Sequence, residues 1–302
     1  MRSLVLFGLM GLLTASAPAQ QGRDGGQFTI SVNVDLAVFN LTVTDKAGRH
    51  ISGLKATDFR VYEEGKLQDI KLFGAEDAPA SVGVIIDNSG SMRDKRLAVT
   101  RAALAFVNAS NPADEMFLVR FNERVYFGLP SATKFTSDLA QMRSALLLTT
   151  PFGMTALYDA LSAGIDHLKA GTRDRKALVL LSDGGDNASH QPLDEVLQSA
   201  LRSNATIYTI GIYDESDDDS NPGVLRKIAQ ISGGRAYFPK SLDNLEQVWR
   251  DIADGIRSQY TIGYSSNNPN HSGGFRKVRI VATRNPHETL KVTTRAGYLA
   301  TQ

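Results

Sequence analysis

At 302 residues the chain has room for one α/β domain and a smaller companion, since domains typically run about 100–200 residues. A hydrophobic content of 42% and a charged content of 22% are those of a globular protein, and a formal net charge of +1 supplies no pull toward nucleic acid or an anionic membrane. Cysteine is absent, which excludes disulfides, thiol catalysis and thiolate ligands, so any metal site must use oxygen or imidazole.

Arg2, the apolar run Leu4–Leu13 and the small-residue stretch ending in Ala17-Pro18-Ala19 have the order of a secretory signal. Residues 1–19 are therefore expected to be cleaved and the protein exported, to the periplasm or beyond. The run is too short for a membrane anchor, which needs ~20 apolar residues, and no cysteine follows it to carry a lipid. Residues 20–27, with Gly22, Gly25 and Gly26, read as a tether. Residues 28–78 read as a β segment. Phe28, Ile30, Val32 and Val34 alternate with polar residues, and so do Phe39, Leu41 and Val43. Asp45-Lys46-Ala47-Gly48 is a turn signal, and Phe59–Tyr62, Glu64-Gly65-Lys66 and Ile70–Phe73 read as a hairpin.

The period changes near residue 79. Val82–Ile86 and Ala177–Leu181 are short continuous apolar runs, the mark of strands covered on both faces. Met116–Phe121 and Thr206–Ile212 are further strands. Between them run amphipathic stripes carrying Val99, Ala103 and Phe106, then Leu157–Leu168, then Leu193–Leu201. Val224–Ile231, stopped by Gly233-Gly234, and Leu242–Arg257 are the last helices, with Trp249 on the apolar stripe. Alternation of buried strands with helices predicts an α/β, doubly wound, mostly parallel sheet over residues 79–258. From Gln259 to residue 300 the pattern is β again, at Tyr260–Tyr264, Phe275–Ala282 and Leu290–Thr294. Neither flank has enough strands to stand alone. The expectation is that they pair into one β-sandwich-like domain into which the α/β domain is inserted.

The chemistry concentrates at strand ends. Asp87-Asn88-Ser89-Gly90-Ser91 follows one buried strand, Ser182-Asp183-Gly184 follows another, and Thr155 precedes a helix. Ligands of open α/β sheets bind beyond the carboxyl ends of the strands. If the two strands are neighbours, the three loops bring two carboxylates and three hydroxyls to one crevice. Such hard oxygens suit Mg2+ or Mn2+.

Asp87-x-Ser89-x-Ser91 with Thr155 and Asp183 resembles the metal-ion-dependent adhesion site of von Willebrand factor type A domains, over roughly residues 80–258. The resemblance implies Ser89, Ser91 and Thr155 as direct or water-bridged ligands and Asp87 and Asp183 acting mostly through water. It also implies a protein partner that completes the shell with an Asp or Glu side chain. The flanks, with Gly53-Leu54, Asp58-Phe59, Tyr260-Thr261-Ile262-Gly263-Tyr264 and Arg295-Ala296-Gly297-Tyr298, resemble exported acidobacterial-type "VWFA-related" proteins. That resemblance implies a domain arrangement and no defined ligand.

The expected function is an exported, metal-dependent protein-binding or adhesion module without enzymatic activity. A periplasmic scaffold with a stabilising metal is the alternative, and a metal-assisted hydrolase ranks below both because no general base is evident. The acidic stretch Asp214–Asp219 lacks the spacing of a calcium loop and reads as a solvated loop. His50, His167, His190, His271 and His287 are scattered.

Overall fold

The computed structural model describes residues 36–75, 77–147, 151–213, 220–268, 273–285 and 288–300. The expected leader, the tether, the strand Phe28–Val34, the acidic stretch 214–219, His271 and His287 lie outside the described residues. Those that are described belong to one compact unit, residues 35–302.

The first flank supplies β1 (Leu36–Thr44), β2 (Phe59–Glu63), β3 (Lys66–Gln68) and β4 (Ile70–Gly74). Along β1 the alternation holds: Phe39, Leu41 and Val43 are buried. The turn after it is closed by Gly48 N–H to the Asp45 carbonyl at 3.0 Å. The hairpin differs from expectation. β2 turns at Glu64-Gly65 into the three-residue β3, whereas Ile70–Phe73 leaves that ribbon and pairs elsewhere.

The α/β part follows, through β5 (Ala80–Asp87), α1 (Arg96–Ala109), β6 (Glu115–Phe121), β7 (Val125–Phe127), α2 (Leu139–Leu147), α3 (Leu157–Leu168), β8 (Arg175–Ser182), α4 (Leu193–Arg202), β9 (Thr206–Gly211), α5 (Pro222–Ser232), β10 (Ala236–Tyr237) and α6 (Leu245–Arg257). Its sheet runs β10-β9-β8-β5-β6-β7, parallel except for β7. Every residue of β5 is buried, as a strand covered on both faces requires. Trp249 of α6 packs on Phe106 of α1 with ring centroids 5.0 Å apart. The sequence reading missed α2, β7 and β10. Two of these are two- and three-residue edge strands, and α2 buries only Met142, Ala145 and Leu146.

The second flank adds β11 (Tyr260–Ser265), β12 (Gly274–Asn285), β13 (Glu288–Thr293) and β14 (Gly297–Ala300). The two flanks form one antiparallel sheet, β3-β2-β12-β13-β1-β11-β4, with β14 beside β12. Phe59 near one end of that path lies 5.6 Å from Phe73 on the strand at the other end, so the sheet folds over a shared core of its own. Within it Glu63 is 1% exposed. Its carboxylate accepts hydrogen bonds from Ser266 Oγ at 2.6 Å, Tyr264 OH at 2.8 Å, Tyr298 OH at 3.0 Å and Arg276 Nη1 at 3.1 Å.

The two sheets are tied by buried arginines. Arg295 donates to the Leu201 carbonyl of α4 at 3.1 Å and the Val38 carbonyl of β1 at 2.7 Å. Arg175 donates to the Arg257 and Gln259 carbonyls as α6 leaves the α/β part. The chain enters that part from β4 and returns through β11, and these strands pair directly, Thr261 opposite Gly74. Among the described residues no helix is long and apolar enough to cross a membrane.

Candidate metal crevice

β5 pairs β8 on one side and β6 on the other, so the strand order reverses there and a crevice opens beyond the carboxyl ends of β5 and β8. Asp87 ends β5 and Asp183 follows β8, with 2% and 4% of their surface exposed. The register that sets Ile86 opposite Leu181 brings the next pair, Asp87 and Ser182, side by side.

Each carboxylate is fixed by its own loop. Asp87 Oδ1 accepts the Ser89 N–H at 2.9 Å and Oδ2 accepts the Ser182 hydroxyl at 2.6 Å. Asp183 Oδ1 accepts the Gly185 N–H at 3.0 Å, while Oδ2 accepts the Ser91 hydroxyl at 2.7 Å. Ser89 and Ser91 hydroxyls lie 3.1 Å apart. Gly184 takes φ +88°, and a Cβ there would strike the Asn221 carbonyl. Only glycine suits that turn.

Thr155 reaches the crevice on a third loop, held by backbone. Its N–H donates to Asn187 Oδ1 at 2.8 Å, and its carbonyl accepts from the Asn187 and Ala188 N–H groups at 3.0 Å. Gly90 N–H donates to the Gly153 carbonyl at 3.1 Å, which joins this loop to the Asp87 loop. Four of the sequence-derived residues, Asp87, Ser89, Ser91 and Asp183, thus share one hydrogen-bonded chain, whereas Thr155 lies on the neighbouring loop, two residues beyond the Gly153–Gly90 bond that links the two. Ser182, Asn187 and Glu123 were not anticipated. Ser182 orients Asp87, Asn187 anchors the Thr155 loop, and Glu123 Oε2 accepts the Met154 N–H at 3.2 Å. The rim carries Phe152 and Met154, about half exposed. His190 is a surface residue whose Nδ1 lies 2.9 Å from Asp159 Oδ2.

Burial and the neighbouring Asp183 charge push Asp87 up from 3.8 to about 6, against the hydrogen bonds from Ser182 and Ser89. A buried carboxylate held against a second one is costly unless positive charge offsets it. With the hydroxyl hydrogen of Ser91 directed at Asp183, Ser89 is the donor to Ser91, and one lone pair of the Ser91 oxygen is left for a cation. The donors are all hard oxygens, and Ser91 is solvent-exposed. By donor chemistry and charge, the residues fit a divalent cation.

The von Willebrand factor type A domain profile matches residues 81–251, more than half of the chain. The chain belongs to the von Willebrand factor type A domain family. It is 22% identical over 210 residues to human inter-alpha-trypsin inhibitor heavy chain H4, across 64% of this chain and 22% of that one. The match thus spans under a quarter of that longer relative. Among solved structures, a von Willebrand factor type A protein from Catenulispora acidiphila superposes with a TM-score of 0.54 at 17% identity, covering 89% of this chain and 74% of that chain. Proximal thread matrix protein 1 from the mussel byssus, in a structure with a zinc-occupied MIDAS motif, gives 0.51 at 19% identity, covering 64% and 49%. These structural likenesses establish the fold.

Proposed function

We propose that this chain is an exported, metal-dependent binding module that grips an Asp or Glu side chain of a partner protein. Asp87, Ser89, Ser91, Thr155 and Asp183 would hold the cation, the serines and threonine through their hydroxyls and the aspartates mostly through water. Mg2+ or Mn2+ is the proposed ion, because an all-oxygen donor set favours hard cations. The byssus protein's zinc-occupied motif makes Zn2+ the competitor to test. One observation carries the reading: two buried carboxylates repel each other across a crevice whose open side holds a hydroxyl.

A bound cation would supply an open coordination position for the partner's carboxylate. The chain's own residues do the rest. Ser182 holds Asp87 in orientation, the Gly153–Gly90 bond fixes the Thr155 loop, and Phe152 and Met154 offer apolar contact beside the acidic group. Among the described residues the crevice carboxylates are held by their own loops and Glu123 accepts the Met154 N–H, which supports binding over catalysis.

Calorimetric titration of the metal-stripped protein with Mg2+, Mn2+ and Zn2+, beside Asp87→Ala, tests this. Saturable Mg2+ or Mn2+ binding that the variant loses is the expected result. Heats that are equal in both proteins would sink the metal reading and leave a scaffold in its place.

A further inference from the structure

Away from the crevice, a cleft of about 330 Å³ opens between the two sheets. One wall is the β1–β13 ribbon. Its register sets Thr42 opposite Thr293 and Thr44 opposite Lys291. Directly paired residues, and residues two apart, share a face of a sheet. Three hydroxyls and an ammonium are therefore gathered on one face, while the intervening pair Val43 and Val292 belongs to the apolar core on the other.

The opposite wall is α5 and β10, and it carries two guanidinium groups. Arg226 stacks 4.4 Å from the Phe238 ring centroid and Arg235 4.9 Å from that of Tyr237. Stacking fixes the plane of each guanidinium and leaves its N–H edge available. Arg226, Arg235 and Lys291 are exposed, and no carboxylate lines the cleft among the described residues. Asp251 and Asp254 line an adjoining cleft that shares only His50 and Arg235 with this one. Arg235 is shared with those two carboxylates, whereas Arg226 and Lys291 line this cleft alone, and three positive charges in a chain of net charge +1 are a local concentration, not a general bias. The α5 carboxyl end also borders the cleft. Its dipole amounts to about half a negative charge, and its last carbonyls already accept from Gly233 and Gly234. Three full charges outweigh it.

We infer that this cleft is a second binding site, for a small multiply charged anion carrying phosphate or paired carboxylate groups. The volume lies at the low end for small-molecule sites, which run about 300–1,000 Å³. An occupant would be held by guanidinium edges from α5–β10 and by hydroxyls and Lys291 from β1–β13. It would thereby staple the α/β part to the flanking sheet.

The test is titration of the full, metal-free chain with inorganic phosphate, and in parallel with malonate, against chloride at matched ionic strength, read by calorimetry or NMR. The expected result is saturable millimolar binding of one or both, weakened about ten-fold or more by the triple variant R226Q/R235Q/K291Q. Lys291→Glu alone should weaken it in the same direction, and its exposed position spares the core if the triple variant folds poorly. Asp87→Ala should bind the anion as the parent does, which separates this site from the metal crevice. Absence of saturation, equal binding by the charge variants, or equal response to chloride would overturn the assignment.

Discussion

Two carboxylates are withdrawn from water to nearly the same degree, Glu63 in the flanking sheet and Asp87 in the crevice, yet their surroundings are opposite. Glu63 is saturated. Burial alone would raise its pKa, but hydrogen bonds from Ser266, Tyr264 and Tyr298 and the charge of Arg276 win and hold it below the usual range. Asp87 has two donors and a second carboxylate for company, and there burial wins. The first arrangement is finished within the chain. The second leaves burial and a like charge uncompensated by the groups that face Asp87, and an added cation would offset both.

The comparison breaks most visibly at Glu63. Glu63→Gln leaves Arg276 buried without its counter-charge, and a loss of about 3–5 kcal/mol is expected in urea denaturation. Asp87→Asn should do the reverse to the metal-free protein. It removes an uncompensated buried charge, so stability at neutral pH should hold or rise by about 1 kcal/mol, while Mg2+ no longer raises the melting temperature. A large destabilisation by Asp87→Asn would mean that the crevice, too, is complete in itself.

The pH dependence should separate the two groups. The folded pKa of Glu63 is lowered, so its contribution is present above its unfolded value of 4.5 and is lost as pH falls below that. For Asp87 the folded pKa is raised from 3.8 to about 6, so its contribution is present at low pH and is lost as pH rises through that window. Melting curves of metal-free Asp87→Asn and parent should therefore diverge between pH 4 and 6, with the variant gaining relative to the parent as pH rises. Excess Mg2+ should close that gap for the parent above pH 6. Ser182→Ala should cost about 1 kcal/mol of stability and weaken Mg2+ several-fold, because Asp87 loses the donor that orients it. The smallest effect is expected from Phe152→Ser with Met154→Ser: unchanged metal affinity, with any loss confined to partner binding.

Much of this was legible in the residues. Two continuous apolar runs ending in Asp87-x-Ser89-x-Ser91 and Ser182-Asp183 announced parallel strands and what stands at their tips, and the helical stripes between them gave the α/β class. What escaped depends on register and on contacts across the fold. Ser182 reads as the first residue after the apolar run Ala177–Leu181, and only the alignment of β5 with β8 turns its hydroxyl to Asp87. Ile70–Phe73 looked like the return strand of a hairpin because a turn precedes it. Its partner, β11, lies some 190 residues further along, beyond any local pattern. The Glu63 cluster draws on β2, β11, β12 and β14, so no single stretch of sequence reveals it.

The adjacency of β4 and β11 has a mechanical consequence. The chain leaves for the α/β part and returns at two neighbouring strands joined by backbone hydrogen bonds, so tension applied through the flanks is shunted across that ladder. While the β4–β11 bonds hold, the remaining path into the α/β part is through the buried arginines, Arg295 between Val38 and Leu201 among them. A load applied by a partner seated in the crevice takes the other route, back along β5 toward β4, and reaches the same ladder from inside the α/β part.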